Sequence, residues 1–249
     1  LTEGTPHTIR IETKDAANNK SALSFKIQYK PSPASQANSS GKMYYPFMVN
    51  VGEGSADCEF YIGERGLYDS VQIAYRRSVS ANPMVVSAIH TIGAAYIPLQ
   101  EGLVVRIKPN FALPSEKMNR VLIQRFAGTK KEIKKAEWQN GWAVANFNSF
   151  GSFQLVPDET APEIIPVGFK SGQDMSKASR LLFTAKDNMG SIKNFRAELD
   201  GKWLRFTNDK GKNFIYIFDE QCPPGKHTLK ISVADEAGNT AERIFTFTR

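Results

Sequence analysis

Residues 5–27, TPHTIRIETKDAANNKSALSFKI, align without a gap on residues 225–247, GKHTLKISVADEAGNTAERIFTF, at an offset of 220. His7, Thr8, Ile11, Asp15, Ala17, Asn19 and Phe25 are matched by His227, Thr228, Ile231, Asp235, Ala237, Asn239 and Phe245. A repeat of this kind fixes architecture before any local detail. Leu229, Ile231 and Val233 alternate with polar residues, the period of a half-buried strand. Asp235 to Asn239 is rich in residues that tolerate turn dihedrals. Phe245 and Phe247 alternate on the returning strand. The unit is a β-hairpin of the kind that ends a sandwich domain. Its second copy closes the chain. Its first copy has no strands ahead of it, so residues 1–29 read as the C-terminal hairpin of an upstream domain. An isolated hairpin is marginally stable.

The rest of the chain supports an all-β class. Lys30 to Gly41 carries two prolines among small polar residues and reads as a linker. From 42 to 157 the apolar runs are short and punctuated by turn residues, as in a β-rich domain. Only Pro114–Arg125 and Lys130–Glu137 have helical character. A third domain, 158–249, opens on an edge strand at Glu163–Val167, since proline is tolerated at sheet edges. Leu181–Ala185, the turn Asp187–Gly190 and the hairpin around Asp200-Gly201 follow. Asp-Gly is a strong signal for a two-residue type I′ turn. About seven strands in this span suit an immunoglobulin-like sandwich. The expected architecture is all-β: tandem immunoglobulin-like sandwich domains preceded by an orphan hairpin. The chain begins at Leu1 with no signal peptide, as expected of a piece of something longer.

Chemistry is sparse. The three His stand 83 and 137 residues apart, with no HxH pair and no HExxH helix, so they do not form a catalytic zinc shell. His7 and His227 occupy matching repeat positions and read as structural; His90 reads as a strand or loop residue. There is no nucleophile elbow and no phosphate loop. Cys58 and Cys222 fall in different domains and read as free thiols. Asp15/Asn19 and Asp235/Asn239 suggest calcium only weakly, because calcium takes about six to eight oxygens; the favoured role is turn residues bonding their own backbone. No catalytic, cofactor or metal residue is therefore assigned. Tyr44, Tyr45, Tyr75, Trp138 and Trp142 are candidates for a carbohydrate platform, weighed against the aromatic core that all-β domains need.

The net charge is +7. Residues 1–157 carry 18 Lys/Arg against 12 Asp/Glu, and residues 158–249 carry 14 against 13. The cluster Lys130-Lys131-Glu132-Ile133-Lys134-Lys135 reads as a solvated face, since nucleic-acid binders interleave basic residues with stacking aromatics. No nucleic-acid partner is expected. No apolar run approaches the ~18 residues of a membrane-spanning helix.

Several segments carry a family resemblance. They are Gly63–Ser70, Ile97–Gln100, Val105–Pro109 and Phe150–Val156 in the middle region, then Asp158–Ile164, Glu198–Leu204, Pro224–Leu229 and Ala234–Asn239. In this order they resemble the non-catalytic C-terminal region of Gram-negative envelope proteins that carry a lysostaphin-type peptidoglycan peptidase domain, a zinc enzyme. The HxxxD and HxH motifs of that enzyme are absent: Ile11, Ala94 and Ile231 stand four residues after the three His. The resemblance implies export to the periplasm or outer envelope. It also implies an upstream peptidase domain as partner, with zinc only in that domain, and an accessory role in positioning, anchoring or gating it. A carbohydrate- or peptidoglycan-binding module and an independent carboxylate-dependent hydrolase stand as alternatives. Exposed Tyr and Trp lining a groove mark the first; facing carboxylates with raised pKa in a cleft mark the second.

Overall fold

The structure, a computed structural model, describes residues 4–28, 41–190, 192–209 and 212–249. The linker expected at 30–41 lies outside the described residues except for Gly41. The chain divides into two compact units, Leu1–Ser40 and Gly41–Arg249. No helix among the described residues is long and apolar enough to cross a membrane.

The first unit is the hairpin β1 (His7–Lys14) and β2 (Lys20–Ile27). Its register pairs His7 with Ile27 and Ile9 with Phe25. The Asp15 carboxylate accepts from the Ala17 and Asn19 amides, both at 2.9 Å, and from Asn19 Nδ2 at 2.8 Å. These bonds hold Asp15 below the usual carboxylate range, the Asn19 side chain contributing most. Ile11, Leu23 and Phe25 are exposed.

The second unit begins with β3 (Lys42–Tyr44), β4 (Asn50–Ser55), β5 (Cys58–Ile62), β6 (Val71–Ile73), β7 (Tyr75–Ser78), β8 (Ile89–Ile92) and β9 (Leu103–Ile107). A single turn of helix, α1 (Ser115–Met118), precedes β10 (Val121–Ala127), β11 (Lys130–Lys135), β12 (Glu137–Gln139), β13 (Trp142–Phe147) and β14 (Gly151–Pro157). Two five-stranded sheets, ordered β11-β10-β14-β8-β7 and β12-β13-β9-β5-β4, face each other, and β3 pairs with β6 alongside. Alternation decides what is buried: Cys58, Phe60 and Ile62, and Leu103, Val105 and Ile107, meet Phe147, Phe150, Phe153 and Leu155 in one core. The two segments of helical character are corrected in part: Pro114–Arg125 opens with the helical turn α1 and continues as β10, and Lys130–Glu137 holds β11. Val121–Ala127 and Lys130–Lys135 are antiparallel strands pairing Ala127 with Lys130, turned by Gly128 at φ +59°. Lys and Glu favour helix locally, but pairing of β10 with β14 and burial of Val121, Leu122 and Ile123 override that preference.

The remaining strands are β15 (Glu163–Pro166), β16 (Gln173–Asp174), β17 (Arg180–Lys186), β18 (Ile192–Leu199), β19 (Lys202–Leu204), β20 (Thr207–Asp209), β21 (Asn213–Ile217), β22 (Lys226–Asp235) and β23 (Thr240–Thr248). They form sheets β15-β17-β21-β20 and β16-β23-β22-β18-β19. β15, with Pro166, lies at an edge as its proline requires. Leu229, Ile231, Val233, Phe245 and Phe247 all enter the core beside Phe169, Leu181 and Phe183. β22 and β23 repeat the register of the first hairpin, pairing His227 with Phe247 and Leu229 with Phe245. Asp200 (φ +49°) and Gly201 (φ +79°) make the turn between β18 and β19, the two positive φ angles that a type I′ turn demands. The short β16 departs from the otherwise antiparallel pattern, pairing parallel to β23.

Candidate functional site

The five aromatic candidates do not share a surface. Tyr44 is buried against Phe60. Tyr45 is exposed. Trp138 pairs with Ala143, whereas Trp142 pairs with Gln139, so the two indoles point to opposite faces of their sheet. Trp138 packs on the core and donates Nε1–H to the Met118 carbonyl at 2.8 Å. Trp142 lies under Lys108 and Arg106, whose cations stand 4.3 and 5.0 Å from its ring.

Tyr75 belongs to a polar chain within the first sandwich. Its hydroxyl lies 2.8 Å from Ser55 Oγ and 2.7 Å from His90 Nδ1. Ser55 donates to Asp57 Oδ1, and Arg77 holds Asp57 with Nε at 2.9 Å and Nη2 at 2.8 Å. The order Asp–Ser–Tyr–His resembles a proton relay, but its protonation states oppose nucleophilic chemistry. Burial pushes His90 down to about 4, so it is neutral at neutral pH. Burial pushes Tyr75 up to about 12, and burial with the Asp57 charge does the same to the neighbouring Cys58. Burial of Asp57 itself is outweighed by the bonds from Arg77 and Ser55, which leave it lowered and ionised. A buried protonated thiol is inert. Cys58 and Cys222 are both free and buried.

His227 pins a corner, as its repeat position suggested. Nδ1 stands 2.7 Å from Asp200 Oδ2, and Nε2 stands 2.6 Å from the Pro223 carbonyl.

The most unusual grouping lies where the two sandwiches meet. The segment 158–162 joins β14 to β15. Asp158 N donates to the Arg120 carbonyl at 2.9 Å. Asn239 Nδ2 donates to the Asp158 carbonyl at 2.8 Å, and Lys135 Nζ to the Ala237 carbonyl at 3.0 Å. Lys117 and Glu159 form an ion pair at 3.4 Å. A cavity of roughly 520 Å³ opens beside this joint, lined by Met84, Phe111, Leu113, Pro157, Asp158 and Asn188 among others.

Three carboxylates converge at the joint: Asp158, Asp187 and Asp235 each bring an oxygen within 4.8 Å of the others. The topology explains it. Glu163 pairs with Lys186, which places the residues before β15 and after β17 at one end of the sheet. Asp235 closes β22 opposite Ile192, at the start of β18. Asp235 repeats the turn chemistry of Asp15: Oδ1 accepts from Gly238 N at 2.7 Å and Asn239 N at 2.8 Å, and Oδ2 from Asn239 Nδ2 at 2.8 Å. Asp187 Oδ2 accepts from Met189 N at 2.8 Å and Gly190 N at 3.1 Å. Asp158 Oδ1 accepts from Thr160 N and Asn188 Nδ2, both at 3.1 Å. Asp158 Oδ2 and Asp187 Oδ1 are buried with no hydrogen-bond donor among the described residues. Burial, and then the charges of Asp158 and Asp235, push the Asp187 pKa up. Facing carboxylates with a raised pKa are the signature set out for hydrolysis, but Asp158 and Asp235 are only 2% and 1% exposed. Glycosidase carboxyls stand about 5–9.5 Å apart across an accessible scissile bond. The three oxygens here lie within 4.8 Å of one another, closer than that spacing.

Residues 49–158 match the Zu5-like domain, a span from the residue before β4 to Asp158 itself. No curated protein matches the chain. Among solved structures, the endo-β-1,4-mannanase from Thermotoga petrophila is similar at 12% identity and TM-score 0.31, over 36% of this chain and 20% of that one. Fibronectin(III)-like modules of Clostridium thermocellum CbhA are similar at 10% identity and TM-score 0.28, over 59% and 85%. The β-1,2-glucanase from Parabacteroides distasonis is similar at 11% identity and TM-score 0.21, over 82% and 36%. The chain thus spans about a fifth of the mannanase chain.

Proposed function

We propose that this chain is a non-catalytic accessory region of an exported cell-envelope protein, at work in the periplasm or outer envelope. In this role it positions, anchors or gates a peptidoglycan-cleaving zinc peptidase domain of the same protein. The observation that carries the reading is the joint. A five-residue connection, 158–162, is stitched on both sides through Asp158 N to Arg120 O and Asn239 Nδ2 to Asp158 O. A short, hydrogen-bonded connection between two packed sandwiches suits a stiff spacer better than a mobile tether. The polar chain around His90 supports a structural role as well, because His90 and the neighbouring Cys58 are buried in protonation states that disfavour nucleophilic attack.

The test has two arms. The purified chain is incubated with peptidoglycan, with and without added zinc, and turnover is expected at background. The reading frame upstream of Leu1 is expected to encode HxxxD and HxH motifs. Turnover above background, abolished by His90→Ala, overturns the accessory reading.

A second reading, a carbohydrate- or peptidoglycan-binding module, is favoured by one feature that shares only Tyr45 with the aromatic set above. Tyr45, Phe47 and Tyr61 are exposed on or beside β4 and its partner β5. Val51 pairs with Tyr61, and Phe47 N donates to the Glu64 carbonyl, so these segments are neighbours. Sedimentation with insoluble peptidoglycan, lost in Tyr45→Ala and Tyr61→Ala, supports this reading.

A further inference from the structure

We propose that Asp158, Asp187 and Asp235 bind one Ca2+ at the joint of the two sandwiches. Two observations carry this independently. The first is convergence: three carboxylate oxygens lie within 4.8 Å of one another. Calcium–oxygen distances of 2.3–2.6 Å allow oxygens on one ion to stand up to about 4.6–5.2 Å apart. The second is an orphaned buried atom. Asp158 is 98% buried by its 2% exposure, and its Oδ2 has no donor among the described residues. Asp187 Oδ1 shares that condition. A buried carboxylate oxygen without a partner is costly unless a cation meets it.

The surrounding charges do not supply that cation. None of the three carboxylates has an ion-pair partner within 4.0 Å among the described residues. Lys135 and Arg120 approach the turn at Gly238, but Lys135 Nζ is bonded to the Ala237 carbonyl. Lys193 pairs with Glu236. Burial first, and then the facing Asp158 and Asp235 charges, raise the Asp187 pKa, and the mutual repulsion of the three carboxylates is the electrostatic condition that a divalent ion relieves.

The donor set selects the metal. Only oxygens converge, which disfavours zinc and other metals that prefer nitrogen or sulfur. Calcium accepts irregular geometry completed by water, whereas magnesium demands a near-ideal octahedron. The ion would tie three segments together: the connection after β14, the loop between β17 and β18, and the turn between β22 and β23. Asp158 is also bonded to the first sandwich through Arg120, so the ion would stiffen the joint itself. Binding is a property of this chain and stands whichever partner the chain positions.

The test uses the whole chain, stripped with a chelator and dialysed against radioactive Ca2+. One Ca2+ per chain is expected, with a Kd of about 10⁻⁴ M or tighter. Saturating Ca2+ should raise the melting temperature by roughly 5 °C or more. Asp187 is the least buried of the three, so Asp187→Asn should keep the fold by circular dichroism and weaken Ca2+ binding at least about tenfold. Asp15→Asn, in the other copy of the repeat, should leave binding unchanged. Equimolar Mg2+ should not displace the Ca2+. The proposal is overturned if the wild-type chain takes up no Ca2+ at 10-fold above about 10⁻³ M. Uptake unaltered in Asp187→Asn, or lost in Asp15→Asn, overturns it equally. If Asp187→Asn does not fold, wild-type stoichiometry and the Ca2+-dependent melting shift decide the question.

Discussion

Asn239 Nδ2 donates to the main-chain carbonyl of Asp158, 81 residues earlier, at 2.8 Å, and also to Asp235 Oδ2 at 2.8 Å. One amide thus closes its own turn and fastens the two sandwiches together. Its counterpart, Asn19, makes the turn bond to Asp15 in an exposed hairpin. The repeat therefore supplies its own control. Asn239→Ala leaves buried acceptors without a donor and should cost about 1–3 kcal/mol. Asn19→Ala, at an exposed site, should stay within about 0.5 kcal/mol. Calorimetric melts of the two variants separate these outcomes; equal losses would deny the joint its role.

Ile231 is fully buried between β18 and β23, where it pairs with Ala197 and Arg243. Ile231→Ala should destabilise the second sandwich by roughly 2–5 kcal/mol, the transfer and cavity terms together. Urea denaturation reads this directly. A loss below about 1 kcal/mol would mean that β22 is not in the register described.

How much was legible follows from which interactions are local. The Asp200-Gly201 turn was readable because two adjacent positive φ angles need that residue pair. The register of β22 and β23 was readable because the repeat writes the same alternation twice. β11 read as helical because Lys and Glu favour helix, and β10 because it follows the helix-favouring Glu116, Lys117 and Met118. The pairing that makes β10 a strand comes from β14, about 30 residues away in sequence, and β11 pairs on β10 in turn. The carboxylate cluster was hidden for a different reason. Asp187 and Asp235 each sit in a turn with Asn and Gly nearby, and Asp158 caps the Thr160 amide of a short connection, so each alone is an ordinary aspartate bonding nearby backbone. Counting strands, so as to see which turns share one end of the sandwich, was the signal that could have joined them. Trp138 and Trp142 fall on opposite faces because they lie four apart across a two-residue turn, where residue type reveals nothing about facing.

Two histidines give opposite pH dependences. Burial would lower His227, but its bonds to the Asp200 carboxylate and the Pro223 carbonyl outweigh that and raise it. A neutral imidazole donates only one of those bonds, so the protonated form fits best. Its contribution to stability is complete below the unfolded value of about 6.5 and is lost as pH rises through the higher folded value. His90 is the reverse, pushed down to about 4 by burial. Between about 6.5 and 4 the unfolded chain binds the extra proton, so stability falls by roughly 2–4 kcal/mol as pH drops. Denaturation from pH 4 to 9 should show both limbs. His90→Gln should flatten the acid limb and leave the alkaline one; His227→Asn should do the converse.

The lysine cluster makes the last prediction. Lys130, Lys131, Lys134 and Lys135 lie on β11, which pairs with β10 on one side only and is the outermost strand of its sheet. An outer strand presents unpaired N–H and C=O groups to any other strand, and lysines on it oppose such pairing by charge repulsion and hydration. This assigns the cluster a physical purpose without nucleic acid. Lys135 also bonds the Ala237 carbonyl at the joint, so it is left intact in the test. Replacing Lys131 and Lys134 by Thr keeps strand propensity and removes two charges. The double variant should keep its melting temperature within about 2 °C, because exposed substitutions away from packed features change stability little. Its light scattering and sedimentation coefficient should rise with concentration, while the wild-type chain stays unchanged. A variant as soluble as the wild type would show that the edge of β11 is protected by something other than its lysines.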